Sequence, residues 1–335
     1  MAHDAQKMAD VSVVIPAYRA RAHIGRALAS VAAQTYKPRQ VIVVDDGSGD
    51  GTFEAAEAMA GQMNGIALVV VRQENRGAGA ARNRALGEAT ATYVAFLDAD
   101  DEWMPEKIER SMKFFDGAPH LLVAHDYIRT EVNGTEHVID CASRFRRAPR
   151  DPFAGLFRRG FIGTSTVIVR RDAVIAAGGF DDSLATAQDF DLWLKILAID
   201  GATFTVFPEA LTRYHVTDGS ITSFTARRTA CSLRIARRHA PGFLDLWFRI
   251  LVIHYEALRA YTSGGHPLKA FVSLLWLPWN MIVATLAPRR PPAPGTPLPG
   301  WMVLTLWAWV IGAFGAYMYR FGDLVIAAVK MMGRL

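Results

Sequence analysis

Four short apolar runs in the first hundred residues, each followed by a segment of helical character, constrain this chain more than any other feature. "VSVVIPAY" (11–18) reads as a buried β-branched strand, and the spacing of Ile24, Leu28 and Val31 in "IGRALASVAAQ" predicts a helix. "QVIVVDDGSGDGT" (40–52) is a second strand ending in an acidic, glycine-rich turn, with "TFEAAEAMAGQM" after it as helix. "IALVVVRQ" is a third strand, "GAGAARNRALGEA" a helix and "TYVAFLDADD" a fourth strand. Three strand–helix–strand units in succession predict a mostly parallel α/β sheet. Parallel neighbours need crossover helices, which cover both faces and leave the carboxyl ends of the strands as a ligand crevice.

Acidic residues collect at those ends: Asp45 and Asp46 in "DDGS", and Asp98, Asp100 and Asp101 in "DADD". Two acidic turns on one rim repel each other unless a cation lies between them. A hard divalent ion such as Mg2+ or Mn2+ prefers carboxylate oxygens and keeps positions open for phosphate and water. On an extended segment, side chains at i and i+2 face the same way, so Asp98 and Asp100 are expected to share one cluster. Either turn alone is equally an ordinary cap, because Asp and Gly are default turn residues. Their combination and order favour the cation.

At 51% apolar and 21% charged residues, the chain is globular and not disordered. The net charge of +5 comes from arginine clusters: Arg144, Arg146 and Arg147; Arg158 and Arg159; Arg227 and Arg228; Arg234, Arg237 and Arg238. They surround apolar segments and accompany no nucleic-acid recognition motif, so no nucleic-acid partner is expected. Cys141 and Cys231 lack metal-ligand spacing and read as reduced structural thiols. The N-terminus has no charged head followed by a long apolar segment, so no signal peptide is expected and the bulk of the chain is assigned to the cytoplasm.

Taken together, "VSVVIPAYRARAHIGRALASVAAQTY", "VIVVDDGSGDGT", "NRGAGAARNRAL", "YVAFLDADDEWMPEKI" and "GGFDDSLATAQDFDLWLKI" closely resemble the family 2 inverting glycosyltransferases, which have the GT-A fold. Five motifs in family order, from about residue 11 to 222, carry the resemblance. It implies a nucleoside diphosphate sugar donor, a Mn2+ or Mg2+ cofactor and inversion at the anomeric carbon. Pro16, Ala17 and Tyr18 would wall the nucleotide base, with Asp46 as its hydrogen-bond partner and Asp45 beside it. Arg82 resembles the residue near base and diphosphate. Asp98 and Asp100 match the D-x-D pair, Asp98 nearer the ribose and Asp100 the main metal ligand. Asp189 in "QDFDLW" matches the catalytic base. The expected base is uracil, with guanine or thymine as alternatives.

The chemistry requires these residue types. A sugar leaves a nucleoside diphosphate when the departing charge is neutralised, while a carboxylate on the opposite face takes the proton of the attacking hydroxyl. Attack and departure on opposite faces invert the anomeric carbon. "FDLWLKILA" reads as an amphipathic helix, which puts Asp189 at or near its N-terminus. There the rival role is an N-cap, and the helix dipole suits a carboxylate in either role. Asp191 is the rival base, expected instead to support the first turn. One stretch departs from the family: "RYHVTDGSIT" has Thr217 at the usual His position and His215 where Arg is common, so His215 is a candidate but unassigned metal ligand. Trp103 is a candidate sugar platform or a core residue. "NGT" at 133–135 fits a glycosylation acceptor but carries no meaning in a cytoplasmic domain.

The expected organisation is a GT-A catalytic domain over 1–225, with a nucleotide-sugar half at about 1–110 and an acceptor half at about 111–225. Basic amphipathic helices over 226–265 and membrane-associated hydrophobic helices over 266–335 follow. Residues 301–319, "WMVLTLWAWVIGAFGAYMY", are uncharged with aromatic ends and predict a transmembrane helix. The run 271–287 contains Pro278 and Asn280 and reads as a second span, a re-entrant hairpin or an interfacial helix; a proline-rich linker, 288–300, joins the two. Positive charge on both sides of the last run leaves topology open. The expected location is the cytoplasmic face of the inner membrane, with a lipid-linked or glycan acceptor. A nucleotidyltransferase would show a glycine-rich signature near the first strand, which "VIPAYRA" lacks. A non-catalytic nucleotide-sugar-binding module would tolerate loss of Asp189.

Overall fold

Residues 7–148, 151–216 and 225–286 are described in the computed structural model of this protein. The expected alternation is present as β1 (Met8–Ala17), α1 (Ile24–Ala32), β2 (Lys37–Asp46), α2 (Thr52–Glu57), β3 (Ala67–Gln73), α3 (Ala78–Glu88) and β4 (Tyr93–Phe96). The chain continues through β5 (Glu102–Trp103), α4 (Lys107–Met112), β6 (His120–His125), β7 (Tyr127–Thr130), β8 (Glu136–Ile139), α5 (Cys141–Arg146) and α6 (Pro152–Arg159). Then come β9 (Ile168–Arg170), α7 (Arg171–Ala176), α8 (Gln188–Leu197), β10 (Thr203–Phe207) and β11 (Thr212–His215). Three helices close the described part: α9 (Thr225–His239), α10 (Phe243–Ser263) and α11 (Pro267–Leu286).

Among the described residues, one sheet has the order β10-β6-β9-β4-β1-β2-β3, parallel except for β9, which runs antiparallel to β4 and β6. Its inner strands are buried on both faces, the edge strand β3 is half-exposed, and alternate residues supply two cores. Val14, Ile42, Val44 and Phe96 face α3, α6 and α8; Val13, Ile15, Val41 and Val43 face α1, α2 and α4. After β1 the chain builds outward through β2 and β3, then returns to place β4 on the other side of β1. The strand order therefore reverses between β1 and β4, the switch point at whose carboxyl ends open α/β sheets bind ligands. That geometry puts Pro16–Tyr18 and Asp98 on the same rim.

A second sheet, β5-β11-β7-β8, is not announced by any long apolar run. It pairs Glu102 with Arg213 across antiparallel β5 and β11, and so brings the segment after the acidic turn against His215. "NGT" forms the β7–β8 turn, with Gly134 at φ +82° and the Thr135 N–H donating to Asn133 Oδ1. The run 271–287 falls largely in α11, with Pro278 inside the helix. No helix among the described residues is long and apolar enough to cross a membrane, so α11 does not meet the expectation of a full span. The span expected at 301–319 and the linker 288–300 lie outside the described residues, as does Thr217.

Candidate active site at the sheet rim

Each acidic residue at the rim has a partner within the protein. Asp45 accepts from the Ser48 N–H at 3.2 Å and from the Ser48 hydroxyl, and Arg72 Nε lies 3.6 Å from its Oδ2. Asp46 accepts from Gln73 Nε2 at 2.7 Å, the Arg76 N–H at 2.9 Å and the Gly77 N–H at 2.8 Å. Its carboxylate thus ties the end of β2 to the loop that starts α3. Asp98 accepts from Arg82 Nη2 at 2.6 Å. The repulsion expected between the two turns is therefore partly offset by Arg72, Arg82 and peptide N–H groups. Arg82 is buried, lies over the Phe180 ring at 5.4 Å and leaves its Nε without a hydrogen-bond partner.

The D-x-D segment is a turn. β4 ends at Phe96, and the Asp101 N–H donates to the Asp98 carbonyl at 3.0 Å. The expectation that Asp98 and Asp100 align as i and i+2 of an extended strand is corrected here: four residues at the sheet edge have no neighbour to keep them extended, and they fold back. Asp101 goes inward, almost fully buried, accepting from Ser165 Oγ at 2.5 Å and the His215 N–H at 3.2 Å. Burial, with the charges of Asp98 and Asp100, pushes the Asp101 carboxyl well above the usual carboxylate range, against the hydrogen bonds from Ser165 and His215. Arg26 reaches the turn from α1, its Nη2 donating to the Asp100 carbonyl at 2.5 Å.

Oxygen donors of this kind suit a hard cation. Among the described residues no group of three or more His, Cys, Asp or Glu side chains is arranged to hold a metal. An ion that keeps waters and shares phosphate oxygens needs only one or two protein carboxylates, so the turn fits a cation held jointly with a diphosphate. His215 is brought to this turn, its buried Nε2 without a hydrogen-bond partner and 3.5 Å from Glu102 Oε1. Burial, followed by the Arg26 charge, lowers the His215 pKa, with Glu102 opposing.

Asp189 lies across a short turn from these acids. Buried residues Thr164–Thr166 form a 3-10 turn. The Thr164 hydroxyl donates to Asp189 Oδ2 at 2.6 Å, and the next residue, Ser165, bonds Asp101 and accepts from the Asp98 N–H at 3.1 Å. A Cβ built on Gly79 of α3 would meet the Gln188 side chain at 3.3 Å, so α3 and the start of α8 are also in close approach. Asp189 is the second residue of α8 and not its cap. The cap position belongs to Ala187, held at φ +59°, and Asp189 Oδ1 accepts from the Phe190 N–H at 2.8 Å.

Two candidates take structural roles. Trp103 is 4% exposed, donates from Nε1 to the Ser165 carbonyl at 2.7 Å and carries Lys107 Nζ 4.0 Å above its ring, so it is core and not a sugar platform. Asp191 does not merely support the first turn of α8. Fully buried, it is clamped by Lys195, Arg238 and His239, each at 2.8 Å, and ties α8 to α9. At the end of β1, Ala17 is buried and Tyr18 half exposed, with Arg19 over the Tyr18 ring at 5.2 Å. Arg19 has φ +51°, and its N–H donates to Ser48 Oγ at 2.9 Å, joining the first two rim turns. Asp101 was in view as one of the rim acids, but its burial was not; Thr164, Ser165 and Arg26 were not singled out, the first two being visible only as the hydroxyl turn "GTST" in the stretch expected to shape the acceptor site.

A helix-flanked α/β sheet with polar groups converging at its switch point is the architecture of a nucleotide-handling enzyme. The family profile Glycosyl transferase family 2 matches residues 12–175. The chain is 32% identical over 277 residues to the amylovoran biosynthesis glycosyltransferase AmsB of Erwinia amylovora, covering 78% of this chain and 88% of that one. In fold it is similar to residues 1–349 of S. aureus TarS, with a TM-score of 0.62 at 21% identity over 82% of this chain and 81% of that one. It is also similar to the mannosyltransferase PcManGT of Pyrobaculum calidifontis, solved with GDP-Man and Mn2+, with a TM-score of 0.59 at 21% identity over 90% and 80%. The chain belongs to glycosyl transferase family 2.

Proposed function

We propose that the protein transfers a sugar, with inversion, from a nucleoside diphosphate sugar to a hydroxyl of a lipid-linked or growing polysaccharide acceptor. The observation that carries this reading is the Thr164–Thr166 turn, which joins Asp189 on one side to the acidic turn Asp98–Asp101 on the other. The donor would lie at the β1–β4 switch point, its base against Pro16–Tyr18, with uracil favoured. Asp189 takes the acceptor proton as the acceptor oxygen bonds to the anomeric carbon; the bond from that carbon to the diphosphate breaks, and its electron pair leaves with the diphosphate. Asp100 and Asp98 would hold a Mn2+ or Mg2+ ion, which when bound neutralises charge on the diphosphate. Asp46 acts indirectly by fixing the Gln73–Gly77 loop, and Arg82 by fixing Asp98. The role of AmsB in a polysaccharide pathway and the donor and Mn2+ seen with PcManGT support the reading.

Attachment to the cytoplasmic face of a membrane belongs to the same proposal. On α10, Leu244, Phe248, Leu251 and Tyr255 are exposed at helical spacing; on α11, so are Leu268, Val272, Leu275, Trp276 and Trp279. Residues 257–286 carry Arg259 and Lys269 but no Asp or Glu, which suits an anionic lipid surface. An enzyme held there meets a lipid-borne acceptor at raised effective concentration.

The test is release of nucleoside diphosphate from a panel of uridine, guanosine and thymidine diphosphate sugars with Mn2+ or Mg2+, for wild type, Asp100→Ala and Asp189→Ala. The first variant should lose metal-dependent donor binding. The second should bind donor normally, with turnover reduced by roughly 1,000-fold or more. Equal activity in all three overturns both assignments.

A further inference from the structure

We infer that Thr164 is the positioning residue for the base: its hydroxyl sets the orientation of the Asp189 carboxylate against the acidic turn. The inference rests on the proposed role of Asp189. Threonines in tight turns usually bond back to their own backbone, as Thr166 does by donating to the Gly163 carbonyl at 2.7 Å. Thr164 instead reaches 25 residues along the chain to Asp189 Oδ2 at 2.6 Å. The turn that carries it is itself pinned. The Ser165 carbonyl accepts from Trp103 Nε1 at 2.7 Å and Thr212 Oγ1 at 3.0 Å, and the Thr166 and Val167 N–H groups close on Gly163 and Thr164 at 3.1 Å each.

Two consecutive hydroxyls therefore bond the two parts of the site, Thr164 the base and Ser165 the Asp98–Asp101 turn. Their separation is set by one residue of a buried turn and not by a mobile loop. A carboxylate offers about four acceptor positions. Thr164 and the Phe190 N–H use one on each oxygen, leaving the others for the acceptor hydroxyl. A base held by donors from two elements stays aimed, and aim is what a proton transfer in the transition state requires.

The experiment uses the full chain and the donor turned over fastest in the panel above, comparing Thr164→Val, Thr164→Ser, Asp189→Asn and the double variant Thr164→Val/Asp189→Asn. Valine keeps the shape of threonine and removes the hydrogen-bond donor, so kcat should fall by about 10- to 100-fold, with the sugar donor's KM and the affinity for its nucleoside diphosphate within about twofold of wild type. Serine restores the hydroxyl and should return kcat to within about threefold. In the Asp189→Asn background the valine change should cost nothing more, because its effect acts through that carboxylate. A Thr164→Val enzyme at full kcat, a loss carried by KM, or an equal loss in the Asp189→Asn background overturns the inference while leaving the base in place. Full activity of Asp189→Asn alone removes the base assignment and the inference together.

Discussion

Gly47 shows how much of the site depends on single positions. At φ +72° it sits where L side chains are strained, and a Cβ there would lie 2.9 Å from the Asn75 backbone nitrogen, on the loop that Asp46 holds. Gly47→Ala should cost about 2 kcal/mol or more, read as a lowered denaturation midpoint, and should weaken donor binding as that loop shifts. Asp191 works in the opposite direction, as a stabilising clamp. Burial opposes its ionised form, but the hydrogen bonds from His239 and Lys195 outweigh burial and hold its pKa at about 2. A depressed carboxyl contributes its full stability above its ordinary value and loses it as pH falls toward the folded one. Asp191→Asn should therefore cost on the order of 2 kcal/mol at pH 7, with the gap closing between about pH 4 and pH 2 in denaturation curves. The motif "QDFDLW" has both aspartates in view, and only burial separates them: Asp189 half open at the cleft, Asp191 sealed between α8 and α9.

Among the elements, the parallel strands were readable because a strand buried on both faces is apolar on both, as in the Val41–Val44 run of β2 and in β1, where only Ser12 interrupts Val11–Ile15. The segment Asp98–Asp101 was misread as strand, since apolar pattern marks where a strand can lie and not where its hydrogen-bonded neighbours stop. The start of α8 was legible to within a residue, but the conformation that opens it was not. Ala187 occupies the left-handed region without a side-chain cap, a cost the sequence does not advertise. Ala187→Gly should stabilise the fold by about 0.5–1 kcal/mol, measured by thermal or chemical denaturation. A net loss of stability would show that Ala187 is not strained there.

For the whole molecule, the exposed apolar stripe of α10 and α11 predicts that Trp276→Glu with Trp279→Glu lowers co-sedimentation with anionic phosphatidylglycerol vesicles by roughly tenfold or more. Unchanged sedimentation would assign attachment to another part of the chain. The sequence by itself determined the layer architecture, the order of the rim motifs and their chemistry, because periodicity and residue type act over ten residues at a time. Only the tertiary structure decided that Trp103 is buried, that Asp46 bonds the Gln73–Gly77 loop and Arg82 bonds Asp98, and that Thr164 reaches Asp189. These facts depend on contacts between residues 16 to 62 apart along the chain. No local pattern encodes such contacts; they follow from where the reversal of strand order between β1 and β4 brings separate turns together.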